Sequence, residues 1–134
     1  MDERDPIRIH LIDTLEAQYR ALKELQDVSG LWRTLLDYSD EGSYIELSAT
    51  SGFTYGVLKA RRKRYIGPEY DNMAIRAIKA IMDQIDEKGE LQNTSFGTAM
   101  RDTLQFYKDI PRTSMPYGQA TAIMALGEFL RRFI

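Results

Sequence analysis

The sequence predicts an all-α fold of about four main helices with long loops, and two observations carry that expectation. Four segments repeat apolar residues at steps of three and four, the period that lines one face of a helix. Proline and glycine stand where such segments should begin or end, at Pro6, Gly30, Gly67-Pro68, Gly89 and Pro116. With 134 residues, the chain has length for one helical domain over 1–134 at most.

In the first segment, Ile9, Ile12, Leu15, Tyr19, Leu22 and Leu25 make one stripe, with Pro6 in the first turn and Gly30 beyond the end. The second runs from Ser48 to Arg64. It should bury Ala49, Phe53, Val57 and Leu58, with Gly52 and Gly56 leaving room for a close backbone, and Gly67-Pro68 stops it. The third, from Glu69 to Lys88, carries the clearest stripe: Met73, Ala74, Ala77, Ile78, Ile81, Met82 and Ile85. Gly89 is placed to end it in a left-handed conformation. The fourth runs from Tyr117 to Phe133 and should pack Ala120, Ile123, Met124, Leu130 and Phe133, widened by Leu126 and Phe129. Gly127 on the same stripe would admit a neighbouring helix. In the long connection from Glu90 to Pro116, a ribbon of 91–96 with 104–110 and a helical turn over 99–108 both remain open. The long loops should gather at one end of the helices.

Composition narrows the function. Hydrophobic residues at 43% and charged residues at 28% describe an ordinary soluble globular chain. A net charge of −2 argues against nucleic acid. The run Arg61-Arg62-Lys63-Arg64 reads as a solvated last turn, since cations suit a helix C-terminus, rather than as a nuclear signal or phosphate patch. No cysteine excludes disulfides and thiolate metal sites, and a single histidine, His10, argues against zinc. No metal or organic cofactor is implied. The start, MDERDPIRIH, shows no signal peptide, and no apolar run approaches the roughly 20 residues that span a bilayer; the expectation is a cytoplasmic protein without membrane partners.

The stretch from Gly30 to Ile66 carries the candidate chemistry. Ser48, Thr50 and Ser51 place hydroxyls at a helix start, where backbone N–H groups lack partners. Trp32 reads as a plug for the core or as a flat platform for a sugar ring. Asp37, Asp40, Glu41 and Glu46 follow it; paired carboxylates can hydrolyse glycosides, but Asp40 and Glu41 beside Gly42 read as a solvated turn. Glu46, between Ile45 and Leu47 at the helix start, suits a structural or substrate-positioning acceptor and not a catalyst. Ser95-Phe96-Gly97-Thr98 reads as a small polar loop or turn whose glycine permits close backbone approach, and Pro116-Tyr117-Gly118-Gln119 as a helix entry. No Gly-x-Ser-x-Gly elbow and no phosphate loop occurs.

Taken in order, these landmarks resemble glycoside hydrolase families 88 and 105, and more closely family 105. The residues are Gly30-Leu31-Trp32, Leu36-Asp37, Tyr44-Ile45-Glu46-Leu47-Ser48-Ala49-Thr50, Gly89-Glu90-Leu91, Ser95-Phe96-Gly97-Thr98, Tyr107, Ile110-Pro111 and Pro116-Tyr117-Gly118-Gln119. The resemblance covers essentially the whole chain and implies the C-terminal half of an (α/α)6 toroid, that is, a partial toroid. Ala120 departs from it, since a second glycine often stands there.

The resemblance implies hydrolysis of oligosaccharides ending in a 4,5-unsaturated uronic acid, in which an Asp protonates the vinyl ether double bond and water adds. The acid and a His-x-Arg-Gly-Asn-Gly-Trp-like stretch belong to the family's N-terminal half. Neither is found here, His10 matches no catalytic position, and no catalytic residue is carried over. The implied contribution is one wall of the substrate pocket, through Trp32, Glu46, Ser48, Thr50, Thr98 and Tyr117. The alternative is a catalytically silent helical module that binds a protein partner. In either case a piece of a toroid should expose several hundred Å² of apolar surface, which implies self-association or a missing N-terminal half.

Overall fold

The structure, a computed structural model, describes residues 2–39 and 42–134. Asp40 and Glu41 lie outside the described residues. The chain is all-α: α1 (Pro6–Glu24), α2 (Leu47–Arg62), α3 (Asp71–Met82), α4 (Leu104–Lys108) and α5 (Pro116–Phe133). A 3₁₀ turn, Pro68–Tyr70, leads into α3, and a two-stranded ribbon joins β1 (Thr94–Ser95) to β2 (Arg112–Thr113).

Asp5 starts α1 by accepting the Ile7 N–H through its side chain at 2.9 Å, with Pro6 in the first turn. The expected stripe is honoured only towards the C-terminus. Tyr19 and Leu22 are buried and Ile12, Leu15 and Leu25 half-buried, while Ile7, Ile9 and Leu11 are exposed. The first turns touch the rest of the described chain through Arg8, whose guanidinium lies 5.8 Å from the centroid of the Tyr65 ring.

Helix α2 is the centre of the molecule, packed against both α3 and α5. Val57 and Leu58 are fully buried, as expected, but Ala49 and Phe53 are half-buried and Gly52 faces open space. Gly56 is where close approach occurs, since a Cβ there would lie 2.6 Å from the Tyr19 hydroxyl oxygen.

The fourth predicted helix forms over nearly the expected span but faces the other way. Its buried residues are Gly118, Ala122, Ala125 and Glu128, while Ala120, Ile123, Met124, Leu130 and Phe133 are exposed. The reason is steric: α5 packs closely on α2, and the face it buries is made largely of small residues, with Gly118 against Thr94 and Ala122 in the cluster of Leu47 and Leu91, so the bulky side chains are turned out. Gly127 has no neighbour against it.

Helix α3 is shorter than its stripe suggests. It ends at Met82, which is 50% exposed, and the following Ile85 pairs with Leu91 in an isolated antiparallel bridge. Gly89 is left-handed (φ +81°), but it serves the turn closed on Asp86 rather than a helix end. In the connection that follows, a ribbon forms over 94–95 and 112–113, in the register Thr94↔Thr113 and Ser95↔Arg112; its second strand lies beyond the expected 104–110, which instead holds the helical turn Leu104–Lys108. Two apolar clusters hold the elements. One gathers Trp32, Val57, Leu58, Tyr70, Met73 and Ile78; the other gathers Leu31, Leu47, Ile81, Leu91 and Ala122. No described helix is long and apolar enough to cross a membrane.

Candidate functional site

The loops after α1 and α3 meet at the N-terminus of α2, and Glu46 is the joint. It caps α2: Oε2 accepts the Ala49 N–H at 2.6 Å and Oε1 the Ser48 hydroxyl at 2.9 Å. The same Oε1 accepts the Ser95 N–H at 3.0 Å, which ties the ribbon to the helix start. Ser95 is in turn held by two phenols. Tyr44 shares a hydrogen bond with its hydroxyl at 3.0 Å, and Tyr117, in the first turn of α5, donates to its carbonyl. Tyr117 also accepts the Gly97 N–H at 3.1 Å, which fixes the left-handed turn at Gly97 (φ +71°).

These anchors frame an open hollow of about 510 Å³. Glu46, Ser48, Thr98 and Tyr117 line it together, with Arg33, Phe53 and Tyr107 among the other walls. The remaining two expected residues are elsewhere. Trp32 is 0% exposed; its indole N–H donates to the Leu22 carbonyl at 2.8 Å and its ring meets Phe53 edge-on. Thr50 is also fully buried, accepting the Trp32 N–H at 3.0 Å through its hydroxyl. Of the two readings of Trp32, the structure has the core plug: an apolar ring with a satisfied donor gains more from burial than from facing water. Thr50 is that plug's hydrogen-bond partner. Gln119 lies off the hollow too, bonding the Leu91 N–H and carbonyl at 2.9 Å each.

Arg33 is the wall residue that sequence reasoning passed over, although it follows Trp32 directly. Its guanidinium donates to Asp27 at 2.7 Å and to the Ser43 carbonyl at 2.6 Å. Asp27 is held below the usual carboxylate range first by the Ser29 backbone N–H, then by the Ser29 hydroxyl and Arg33. A second hollow, of about 660 Å³, shares Arg33 and is lined also by Tyr44, Lys108 and Arg112. The Arg112 guanidinium lies 4.8 Å from the centroid of the Tyr44 ring. Glu46 is the single carboxylate on the wall of the smaller hollow among the described residues, and both of its oxygens are engaged as acceptors. Asp37 is exposed and outside both hollows. No group of three or more His, Cys, Asp or Glu among the described residues could hold a metal ion.

A model of Glycosyl Hydrolase Family 88 matches residues 1–133. The chain is 34% identical over 119 residues to the unsaturated rhamnogalacturonyl hydrolase YesR of Bacillus subtilis, covering 88% of this chain and 32% of that protein. It superposes on the solved structure of a possible member of glycoside hydrolase family 105 from Klebsiella pneumoniae with a TM-score of 0.94 at 54% identity. A similar protein from Salmonella enterica gives 0.95 at 51%. Both matches cover 100% of this chain and 35% of the solved one. The chain thus spans about a third of the length of these relatives. The five helices among the described residues are a part of an (α/α) toroid.

Proposed function

Since the chain belongs to glycosyl hydrolase family 88, we propose that it supplies one wall of a pocket for an oligosaccharide ending in an unsaturated uronic acid. One observation carries this reading: Glu46, Ser48, Thr98 and Tyr117, scattered over three segments, converge on a single hollow. Phe53, Tyr107 and Tyr117 offer apolar faces to the C–H groups of a sugar ring, and the Ser48 and Thr98 hydroxyls offer hydrogen bonds to its polar edge. Arg33 stands in the same wall, but its guanidinium is taken up by Asp27 and the Ser43 carbonyl, so it stiffens the wall rather than offering free charge to a ligand. Glu46 positions Ser48 and Ser95 and protonates nothing, because both oxygens already accept hydrogen bonds. The acid that protonates the vinyl ether is assigned to the part of the family's toroid that this chain does not span.

The test is a two-dimensional NMR titration of the chain with the unsaturated uronide–rhamnose disaccharide and with its saturated counterpart. Saturable shifts at the Ser48, Ala49, Gly97 and Thr98 amides, larger for the unsaturated sugar and without turnover, are expected. No saturable shift up to about 10 mM, ten times a millimolar dissociation constant, removes the reading. The second reading, a helical module that binds a protein, draws on the exposed apolar side chains of α1 and α5. It takes over if the sugar fails to bind and the chain forms a tight homodimer or captures a folded partner through Leu130.

A further inference from the structure

The ends of α2 and α5 remote from the Glu46 hollow carry a cavity of different chemistry. Arg61, Arg62, Arg64, Arg131 and Arg132 line a hollow of about 380 Å³. The basic run at the end of α2 is therefore solvated only in part: Lys63 and Arg64 are exposed, while Arg61 and Arg62 turn to ion pairs. Arg61 grips both oxygens of Asp71 at 2.7 and 2.9 Å, with Arg132 3.7 Å from the same carboxylate. Arg62 bonds Glu128, whose side chain is 1% exposed, and Arg131 stands 3.8 Å from its other oxygen. Each carboxylate is thus shared between two guanidiniums. Glu69 adds longer-range attraction on Arg61, and the Tyr55 phenol lies within electrostatic reach of Arg62. Positive charge remains in excess after all of these are counted. Completing the dipoles of two helix C-termini calls for one or two cations, not a ring of five.

Two further observations point the same way. Arg64 occupies the left-handed position after α2 (φ 60°), and the turn is closed by Tyr65 N–H to the Ala60 carbonyl at 2.9 Å and Arg64 N–H to the Arg61 carbonyl at 3.1 Å. This is the Schellman arrangement, in which glycine is the usual occupant because a Cβ strains it. An arginine held there against its backbone preference brings a fifth guanidinium to the hollow. Arg132 Nε, in the same lining, is buried with no hydrogen-bond partner among the described residues.

We propose that this hollow is a binding site for a tetrahedral oxyanion of the phosphate class. Arg61 is fully engaged, by Asp71 and by the Ile66 carbonyl at 2.8 Å, so the donors left for an anion are those of Arg62, Arg64, Arg131 and Arg132. Planar guanidinium groups match the oxygens of such an anion, and several around one cavity distinguish a multivalent oxyanion from chloride. Bound there, the anion would bridge α2 to α5 and offset the mutual repulsion of the five arginines. The site is separate from the sugar hollow, and ligands should occupy the two independently.

The experiment measures thermal unfolding of the chain and ³¹P line broadening of inorganic phosphate, at ionic strength held constant with sodium chloride. Phosphate should raise the unfolding temperature saturably while leaving the Gly97 and Thr98 amides unmoved. Arg64→Gly restores the residue that the turn favours, so the variant should fold at least as well as the parent yet bind phosphate about tenfold more weakly. Arg131→Gln, at an exposed and loosely paired position, should weaken binding in the same direction. Phosphate acting no differently from chloride overturns the proposal, as does an affinity unchanged in both variants.

Discussion

Glu46 and Ser95, 49 residues apart, are joined by a hydrogen bond of 3.0 Å from the Ser95 N–H to the Glu46 carboxylate, so one side chain caps a helix and moors a ribbon. Replacing Glu46 by alanine removes a cap and leaves a buried N–H without a partner. We expect a loss of about 2–3 kcal/mol in urea unfolding, with Glu46→Gln losing about half as much because one carbonyl oxygen survives. An alanine variant as stable as the parent would show that the ribbon is held by other means.

Trp32 is predicted to act on stability and not on sugar affinity. Trp32→Ala should cost about 3–5 kcal/mol by opening the core, and should leave little folded chain. Trp32→Phe keeps much of the volume and loses the bond to the Leu22 carbonyl, so it should melt earlier but bind the uronide within a factor of about two of the parent. A large loss of affinity in a folded Trp32→Phe would revive the platform role.

Gly30 tolerates no side chain. Its φ is +90°, and a Cβ there would sit 2.9 Å from the Arg76 carbonyl oxygen, a backbone atom that cannot swing aside. Gly30→Ala should therefore destabilise by about 1–3 kcal/mol, whereas Gly127→Ala, on an open helix face, should stabilise by a few tenths to about 1 kcal/mol. Chemical denaturation of the two variants side by side checks the contrast in sign.

Stability should fall at both ends of the pH scale for identifiable reasons. Hydrogen bonds from Arg61, and its charge, hold Asp71 below the usual carboxylate range, with Arg132 adding to the effect. A carboxyl depressed in the folded state stabilises the fold above the ordinary value of 3.8, and that stabilisation is lost as pH drops through the lower folded value. Burial pushes the Tyr19 phenol up from 10.0 to about 12, so the folded chain keeps a proton that the unfolded chain releases, and stability declines as pH rises across that interval. Melting curves against pH should show both slopes. Asp71→Asn should flatten the acid one and Tyr19→Phe the alkaline one.

Much of the fold was legible because apolar period and breaker residues act locally. The α2 and α5 boundaries fell within a residue or two of Ser48–Arg64 and Tyr117–Phe133. Facing was harder to read. The stripe of Ile123, Met124 and Leu130 carries the larger hydrophobic content, yet the described chain buries Ala122 and Ala125, because a close helix contact selects for small size. Period alone cannot tell a face turned to a neighbour within the chain from one turned outward. Likewise helix-start chemistry marks Glu46 and Ser48, but Thr98 and Tyr117 are nameable as wall residues only through the family resemblance, and neither signal points to Arg33. Its place on the hollow depends on Asp27 and the Ser43 carbonyl, partners 6 and 10 residues away that no short motif records.

The uneven anchoring of α1 has a kinetic corollary. Tyr19 and Leu22 grip the helix near its C-terminal end, while Ile7, Ile9 and Leu11 stand in solvent. Opening the first turns exposes much less apolar surface than opening the Tyr19 end, so fraying there should be faster and largely uncoupled from global unfolding. Amide protons of the early α1 turns should exchange with solvent long before those flanking Tyr19. The helix is clamped at one end by its core residues and held at the other by the contact of Arg8 with the exposed Tyr65 ring.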